Sequence, residues 1–191
     1  MASKLHVVIC STRPTRVGPA VAQWFHDEAV AHGRFDVELV DLAEFKLPVF
    51  DEPEHPRLRR YQHAHTKAWS AKVEEADAFV FVTPEYNFGP PPSLINALNY
   101  LVVEWQYKPA SFVSYGGVSG GLRAVQVEKQ LLTTYKVMPI PEAIAIPMVA
   151  QYLDDNRVFN ASDITRNAVK PMLDELARWT DALKPLRAPV A

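Results

Sequence analysis

A single cysteine, Cys10, is all the thiol chemistry this chain possesses. That excludes an intrachain disulfide and any zinc site built from several cysteines. Glycine is sparse as well: there are seven, and four of them fall between Gly116 and Gly121. Charge of one sign is lacking, since the formal net charge is -2 and Lys and Arg are scattered rather than clustered. A nucleic acid needs a concentrated basic surface to release its counterions, so no nucleic-acid partner is expected. No stretch approaches the roughly 20 apolar residues of a membrane helix. Nor does Met1-Ala2-Ser3-Lys4 open a secretory signal. These absences leave a soluble, cytoplasmic protein that acts on a small molecule, away from membranes.

What is present describes a folded α/β chain. The composition is 48% hydrophobic and 22% charged, and residues 1–191 read as one domain. Leu5 to Cys10 is a nearly continuous apolar run, as expected of a parallel strand covered on both faces. Val17, Val21, Trp24 and Phe25 follow at helical spacing, with Gly33 as the stop. Phe35 to Val40 is a second strand, and the proline-bearing stretch Asp41 to Pro56 reads as loop. A second helix is expected from Leu58 through Tyr61, His65, Trp69 and Val73 to Ala76. Ala78 to Val82 is a third strand, and a third helix runs from Leu94 to Trp105. Ala110 to Ser114 is the fourth strand, Leu122 to Tyr135 a helix, and Ala143 to Ile146 the fifth strand. Ile164 to Leu183 is a last helix that Pro171 should kink or split.

Strands and helices in alternation imply right-handed crossovers onto a parallel sheet. Five strands at this length suit the order 2-1-3-4-5, with helices on both faces. Ligands of such sheets bind beyond the carboxyl ends of the strands, where the strand order reverses. The unusual loops collect there: Ser11 to Gly18 after strand one, Pro84 to Pro92 after strand three, and Gly116 to Gly121 after strand four.

Each loop carries its own chemistry. In the first, the hydroxyls of Ser11 and Thr12 and the guanidinium groups of Arg13 and Arg16 surround a turn that opens a helix near Val17. Free N–H groups at a helix start attract an anion, so the loop reads as a phosphate cradle. Cys10, five residues, then Arg16 also matches the spacing of a tyrosine phosphatase loop. Against that reading, Val17 replaces the hydroxyl residue usual after the arginine, and Pro14 removes an amide. Gly117 to Gly121 spells G-x-S-x-G, yet all six histidines lie at or before His65, so a hydrolase lacks its later histidine. The glycines more simply let backbone approach a flat ligand closely. His63 and His65, read as helical, would point about 200° apart and could not share an ion, so no metal is expected.

With these loops in place, the chain resembles the NADPH-dependent FMN reductase family, flavodoxin-like flavoenzymes that include quinone, azo-dye and chromate reductases. Three segments carry the likeness: Cys10-Ser11-Thr12-Arg13 with Arg16-Val17-Gly18, Thr83-Pro84-Glu85-Tyr86-Asn87, and Ser114-Tyr115-Gly116-Gly117. The likeness spans about residues 4 to 180 in order and spacing. It implies a flavodoxin-like three-layer sandwich. It also implies that Ser11, Arg13 and the amides through Gly18 hold the FMN phosphate, with Thr12, Arg16 and Val17 in the same cradle. Pro84, Glu85, Tyr86 and Asn87 would lie along the isoalloxazine ring, and Ser114, Tyr115, Gly116 and Gly117 would meet its pyrimidine side. Arg16 stands where many members carry serine, so it either adds a guanidinium to the phosphate or turns to the nucleotide.

The implied activity passes electrons from NADPH (or NADH) through FMN to a small-molecule acceptor: free flavin, a quinone, an azo compound or a metal oxyanion. The flavin would perform the hydride chemistry at N5, leaving no acid–base residue to name. One open face serving both substrates predicts ping-pong kinetics. A homodimer or homotetramer is expected through the third helix, Leu94 to Trp105. The alternative is a non-catalytic FMN-binding electron carrier of the flavodoxin kind; such carriers tend to be strongly acidic, and -2 fits poorly.

Overall fold

The computed structural model describes residues 2–187. β1 (Ser3–Ile9) is the hub of a parallel sheet, paired on one side with β2 (Phe35–Asp41) and on the other with β3 (Ala78–Pro84). β4 (Pro109–Tyr115) lies beyond β3 and β5 (Met138–Pro139) beyond β4, giving the order β2-β1-β3-β4-β5. Alternation along β1 sends Leu5, Val7 and Ile9 to one face and Val8 and Cys10 to the other. The first face packs under α1 (Gly18–His32) and α7 (Val169–Leu183), where Phe25, Leu173 and Leu176 are fully buried. The second packs under α3 (Ala64–Glu75), α4 (Pro92–Asn99) and α5 (Leu122–Thr134), around Phe79, Phe81, Trp69 and Trp105. Each large apolar side chain so buried contributes about 1.5–3 kcal/mol, so two full layers anchor the sheet. No helix among the described residues is long and apolar enough to cross a membrane.

The structure departs from the sequence expectations at five places. The fifth strand is divided: β5 (Met138–Pro139) pairs with the start of β4, and β6 (Ile144–Ile146) pairs with its end. The sheet therefore has six strands. The stretch after β2 is not all loop, because Asp41 accepts the Ala43 N–H and caps the short helix α2 (Leu42–Phe45). α3 begins only at Ala64, since the buried Glu52 carboxylate accepts the N–H groups of Gln62 (2.8 Å) and His63 (3.0 Å) and holds the chain extended there. The third helix stops at Asn99, beyond which Tyr100, Leu101 and Trp105 are buried from a turn. Leu94, Leu98, Leu101 and Trp105 are thereby used by the chain's own core, and only Ile95 and Val102 of that stripe stay partly exposed. The last helix is split as expected, into α6 (Asp163–Asn167) and α7, but the break falls at Ala168 rather than at Pro171. Pro171 falls in the first turn of α7, where its missing N–H is tolerated.

Candidate functional site

β1, β3 and β4 end at one level: Cys10 N–H bonds to the Val82 carbonyl, and Pro84 stands opposite Tyr115 in the register. The chain leaves β1 toward α1 on one face and β3 toward α4 on the other. A crevice therefore opens between the two loops, at the reversal of strand order.

The first loop walls a cavity of about 170 Å³ with Ser11, Arg13, Arg16 and Val17, closed on the far side by Tyr115 and Val149. Val17 gives α1 no side-chain cap, Pro19 carries no N–H and the Ala20 N–H bonds to the Val17 carbonyl, so the Gly18 N–H is the one in that first turn left for a ligand. Arg16 is ion-paired with Asp41 at the end of β2, which fixes its guanidinium, yet its Nε–H is buried without a partner. The Tyr115 hydroxyl is likewise buried and unpartnered. Burial pushes that phenol far above its ordinary range, so it remains a proton donor. A buried donor without a partner costs free energy that an anion would recover. Gly18 lets the helix start pack closely here, because a Cβ would lie 2.9 Å from the Tyr115 hydroxyl oxygen and 3.1 Å from Ile9 Cγ2. Thr12 lies elsewhere: it lines a separate cavity of about 680 Å³ beside Leu42 and Asn96.

Cys10 is fully buried on the α3/α4 face, and its thiol donates to the Val8 carbonyl at 3.4 Å. Burial pushes the thiol well above its ordinary value. A nucleophilic thiolate is therefore not available, and the phosphatase reading of this loop ends there.

In the second loop, Tyr86 and Gly89 exchange backbone hydrogen bonds of 2.9 Å each. The two residues between them, Asn87 (φ 49°) and Phe88 (φ 69°), both take positive φ, the pattern of a type I′ hairpin turn. Phe88 is 69% exposed at the tip, with the Arg123 guanidinium 4.3 Å from its ring centroid. The Tyr86 hydroxyl lies 2.5 Å from Ser11 Oγ, joining the two loops. Arg13, Tyr86, Asn87, Pro90 and Pro92 line a cavity of about 510 Å³, and Arg13 and Tyr86 also line the smaller one. The two cavities thus share a wall, which suits a ligand with a compact anionic end and a larger flat body.

Glu85 is engaged differently from its neighbours. Its carboxylate accepts from Ser119 Oγ (2.7 Å), the Arg123 N–H (3.1 Å) and the Arg123 guanidinium (2.8 Å). Burial works against the charge, but these hydrogen bonds hold the carboxyl below its ordinary value. The side chain clamps the second loop to the glycine loop.

The glycine loop is shaped by packing at one end and open at the other. Gly120 (φ 59°) and Gly121 (φ 86°) lie against backbone; a Cβ at Gly121 would sit 2.8 Å from the Ser114 Cβ and 2.9 Å from the Tyr115 nitrogen. Ser114 Oγ donates to the Gly120 carbonyl at 2.7 Å, so its hydroxyl holds this loop rather than facing the crevice. At Gly117 a Cβ would meet nothing within 4 Å, while Gly116 lines the smaller cavity. The Gly116 and Gly117 carbonyls accept the Val149 and Met148 N–H groups, tying in the segment after β6.

Beneath the crevice, Thr83 and Glu128 form a buried pair, Oγ1 to Oε1 2.5 Å. Desolvation raises the Glu128 carboxyl to about 8, so it is mostly protonated at neutral pH. Glu128, Val149 and Asp41 are absent from the sequence-based site. Val149 and Asp41 sit outside its three loops, and a single Glu within a helix reads as a solvated face. His63 and His65 need a correction of geometry: His63 lies outside α3 as its N-cap. Its ring stacks on that of His65 at 5.2 Å, and both approach Asp51.

The profile of the NADPH-dependent FMN reductase family matches residues 3–151. An NAD(P)H-dependent FMN reductase of Schizosaccharomyces pombe is 41% identical over 147 residues, 75% of this chain and 74% of the relative. A quinone reductase of Pseudomonas putida is 30% identical over 184 residues, 91% of this chain and 92% of the relative. Among solved structures, the flavoenzyme NAD(P)H:(acceptor) oxidoreductase FerB of Paracoccus denitrificans has the same fold. Its TM-score is 0.73 at 20% identity, covering 95% of this chain and 98% of that one.

Proposed function

Because this chain belongs to the NADPH-dependent FMN reductase family, we propose that residues 1–191 form one FMN-binding domain that passes electrons from NADPH to a quinone or free flavin. It is an oxidoreductase with FMN and NAD(P)H as cofactors. The residues fit FMN: the buried, unpartnered donors of Arg16 and Tyr115 wall a phosphate-sized cavity that adjoins a larger one. That is the observation on which the reading rests. Bound FMN supplies the redox chemistry, and the protein supplies position and electrostatics.

Ser11, Arg13, Arg16 and the Tyr115 hydroxyl hold the phosphate, with the Val17 and Gly18 amides at the start of α1. Pro84, Tyr86 and Asn87 bound the ring on one side, and Gly116 and Gly117 on the other. Glu85 and Ser114 keep these walls at their spacing through the contacts described above. Thr12 faces the separate cavity beside Leu42 and Asn96 and not the phosphate. Association into a homodimer or homotetramer uses Ile95 and Val102, the apolar side chains this segment leaves near the surface, beside the exposed Val49.

The test is anaerobic mixing of the FMN-loaded protein with NADPH while flavin absorbance near 450 nm is followed, then addition of a benzoquinone. Bleaching followed by recovery is expected. Bound flavin that NADPH leaves unbleached would assign the chain to the electron carriers instead.

A further inference from the structure

Between β1 and β2, back along the strands from the crevice, lies a second cluster that the flavin chemistry does not use. His6 in β1 stands directly across from Glu38 in β2, and Glu75 at the end of α3 reaches the same spot. One potential ligand atom from each of the three lies within 4.8 Å of the other two. His6 is 1% exposed, and its Nε2 is buried without a hydrogen-bond partner. That nitrogen faces Glu38 Oε2 at 3.5 Å, too long for a hydrogen bond. From here to the phosphate loop is about five residues along β1, roughly 17 Å at 3.3 Å per residue.

We infer that His6, Glu38 and Glu75 bind a divalent transition-metal ion, with zinc as the best match, clamping β1, β2 and α3 together. A salt-bridge network alone would pair the glutamates with the local lysines and leave the buried imidazole nitrogen unsatisfied. A metal ion satisfies it. One nitrogen and two carboxylate oxygens, with water in the fourth position, is a zinc donor set; magnesium and calcium prefer oxygen alone. Zinc bonded at about 2.0–2.2 Å sets neighbouring donors roughly 3.3–3.5 Å apart in a tetrahedron. The pair His6 Nε2 and Glu38 Oε2 already has that separation.

Two ammonium groups compete for the carboxylates. Lys72 Nζ donates to Glu38 (2.8 Å) and Glu75 (2.9 Å), and Lys4 Nζ lies 3.4 Å from Glu38 and 3.8 Å from Glu75. Their side chains are 26% and 33% exposed, so both heads can swing into water as the ion enters. Two positive charges leave and two arrive, and the local charge is unchanged. Removing one lysine should therefore tighten metal binding, which a plain ion-pair network does not foretell.

The test is calorimetric titration of the chelator-treated, FMN-loaded protein with zinc chloride, and separately with magnesium chloride. A His65→Ala background removes the stacked His63–His65 pair as a competing site. One zinc per chain and no magnesium uptake are expected. A His6 variant would mix lost packing with lost metal, so the partly exposed glutamates carry the test. Glu38→Gln and Glu75→Gln should each weaken zinc at least tenfold, and Lys72→Met should tighten it at least threefold. Absent zinc uptake overturns the assignment. So does uptake undiminished in both glutamine variants, or a Lys72→Met protein that binds no tighter.

Discussion

Ser11 Oγ and the Tyr86 hydroxyl lie 2.5 Å apart, bridging the loop after β1 and the loop after β3 across the crevice. A serine hydroxyl can accept from the phenol and still donate to a phosphate. Ser11→Ala should therefore weaken FMN by about 1.5–3 kcal/mol, the scale of a hydrogen bond to a charged group. Tyr86→Phe should cost less than about 1 kcal/mol, that of a neutral one. Fluorescence titration of FMN measures both. A larger loss in Tyr86→Phe than in Ser11→Ala would make the phenol, not the serine, the phosphate donor.

Arg13 lines both cavities and has no side-chain hydrogen bond or ion pair within 4 Å among the described residues, unlike Arg16, which Asp41 holds. Its guanidinium is free to meet the ligand. Arg13→Ala should weaken FMN by about 1.5–3 kcal/mol and leave the thermal midpoint of the flavin-free protein nearly unchanged. Unaltered FMN affinity in the titration would remove Arg13 from the site.

Glu85 joins two loops through three hydrogen bonds, from a side chain that is 9% exposed. Glu85→Ala leaves the Ser119 hydroxyl and the Arg123 N–H to find water, at a cost of about 1–3 kcal/mol. A lower urea midpoint is expected, together with weaker FMN binding as the crevice loosens. Stability equal to that of the unaltered chain would show that the clamp does not hold the loops.

Glu128 gives the protein a pH dependence of known sign. Its carboxyl is raised from 4.5 to about 8 in the folded chain. Folding therefore retains a proton that the unfolded chain releases. The group's contribution is fully present below about pH 4.5 and is lost as pH rises toward 8. Glu128→Gln keeps a partner for Thr83 and removes the titration. The variant should exceed the unaltered chain by on the order of 3 kcal/mol at pH 8.5 and match it near pH 5. Denaturant unfolding at the two pH values checks this, and a difference independent of pH would refute it.

The apolar runs Leu5 to Cys10 and Ala78 to Val82 were legible as strands because both faces of a parallel sheet are buried, so a bare sequence displays them. The three loops were legible because they interrupt those runs with residues that strands and helices reject. What escaped depends on partners distant in sequence. Nothing near Gln62 or His63 announces that Glu52 will hold their N–H groups. Nothing near Glu85 announces Arg123, 38 residues away. The apolar spacing from Leu94 to Trp105 describes burial correctly, but a turn buries Leu101 and Trp105 as well as a helix would. Cys10 raised a fair phosphatase question that only its place in the strand alternation, facing the core with Val8, could answer.

The division of the last strand into β5 and β6 bears on how copies of this protein behave when crowded. A long, flat outer strand is a template on which a second chain can add its own, and aggregation begins at such edges. Here β4 is flanked by pieces of two and three residues, and Pro139 offers no N–H to an incoming strand. Beyond β4 the ladder is too fragmentary for another molecule to lengthen. Resistance to edge-to-edge stacking on this side is written into the break itself.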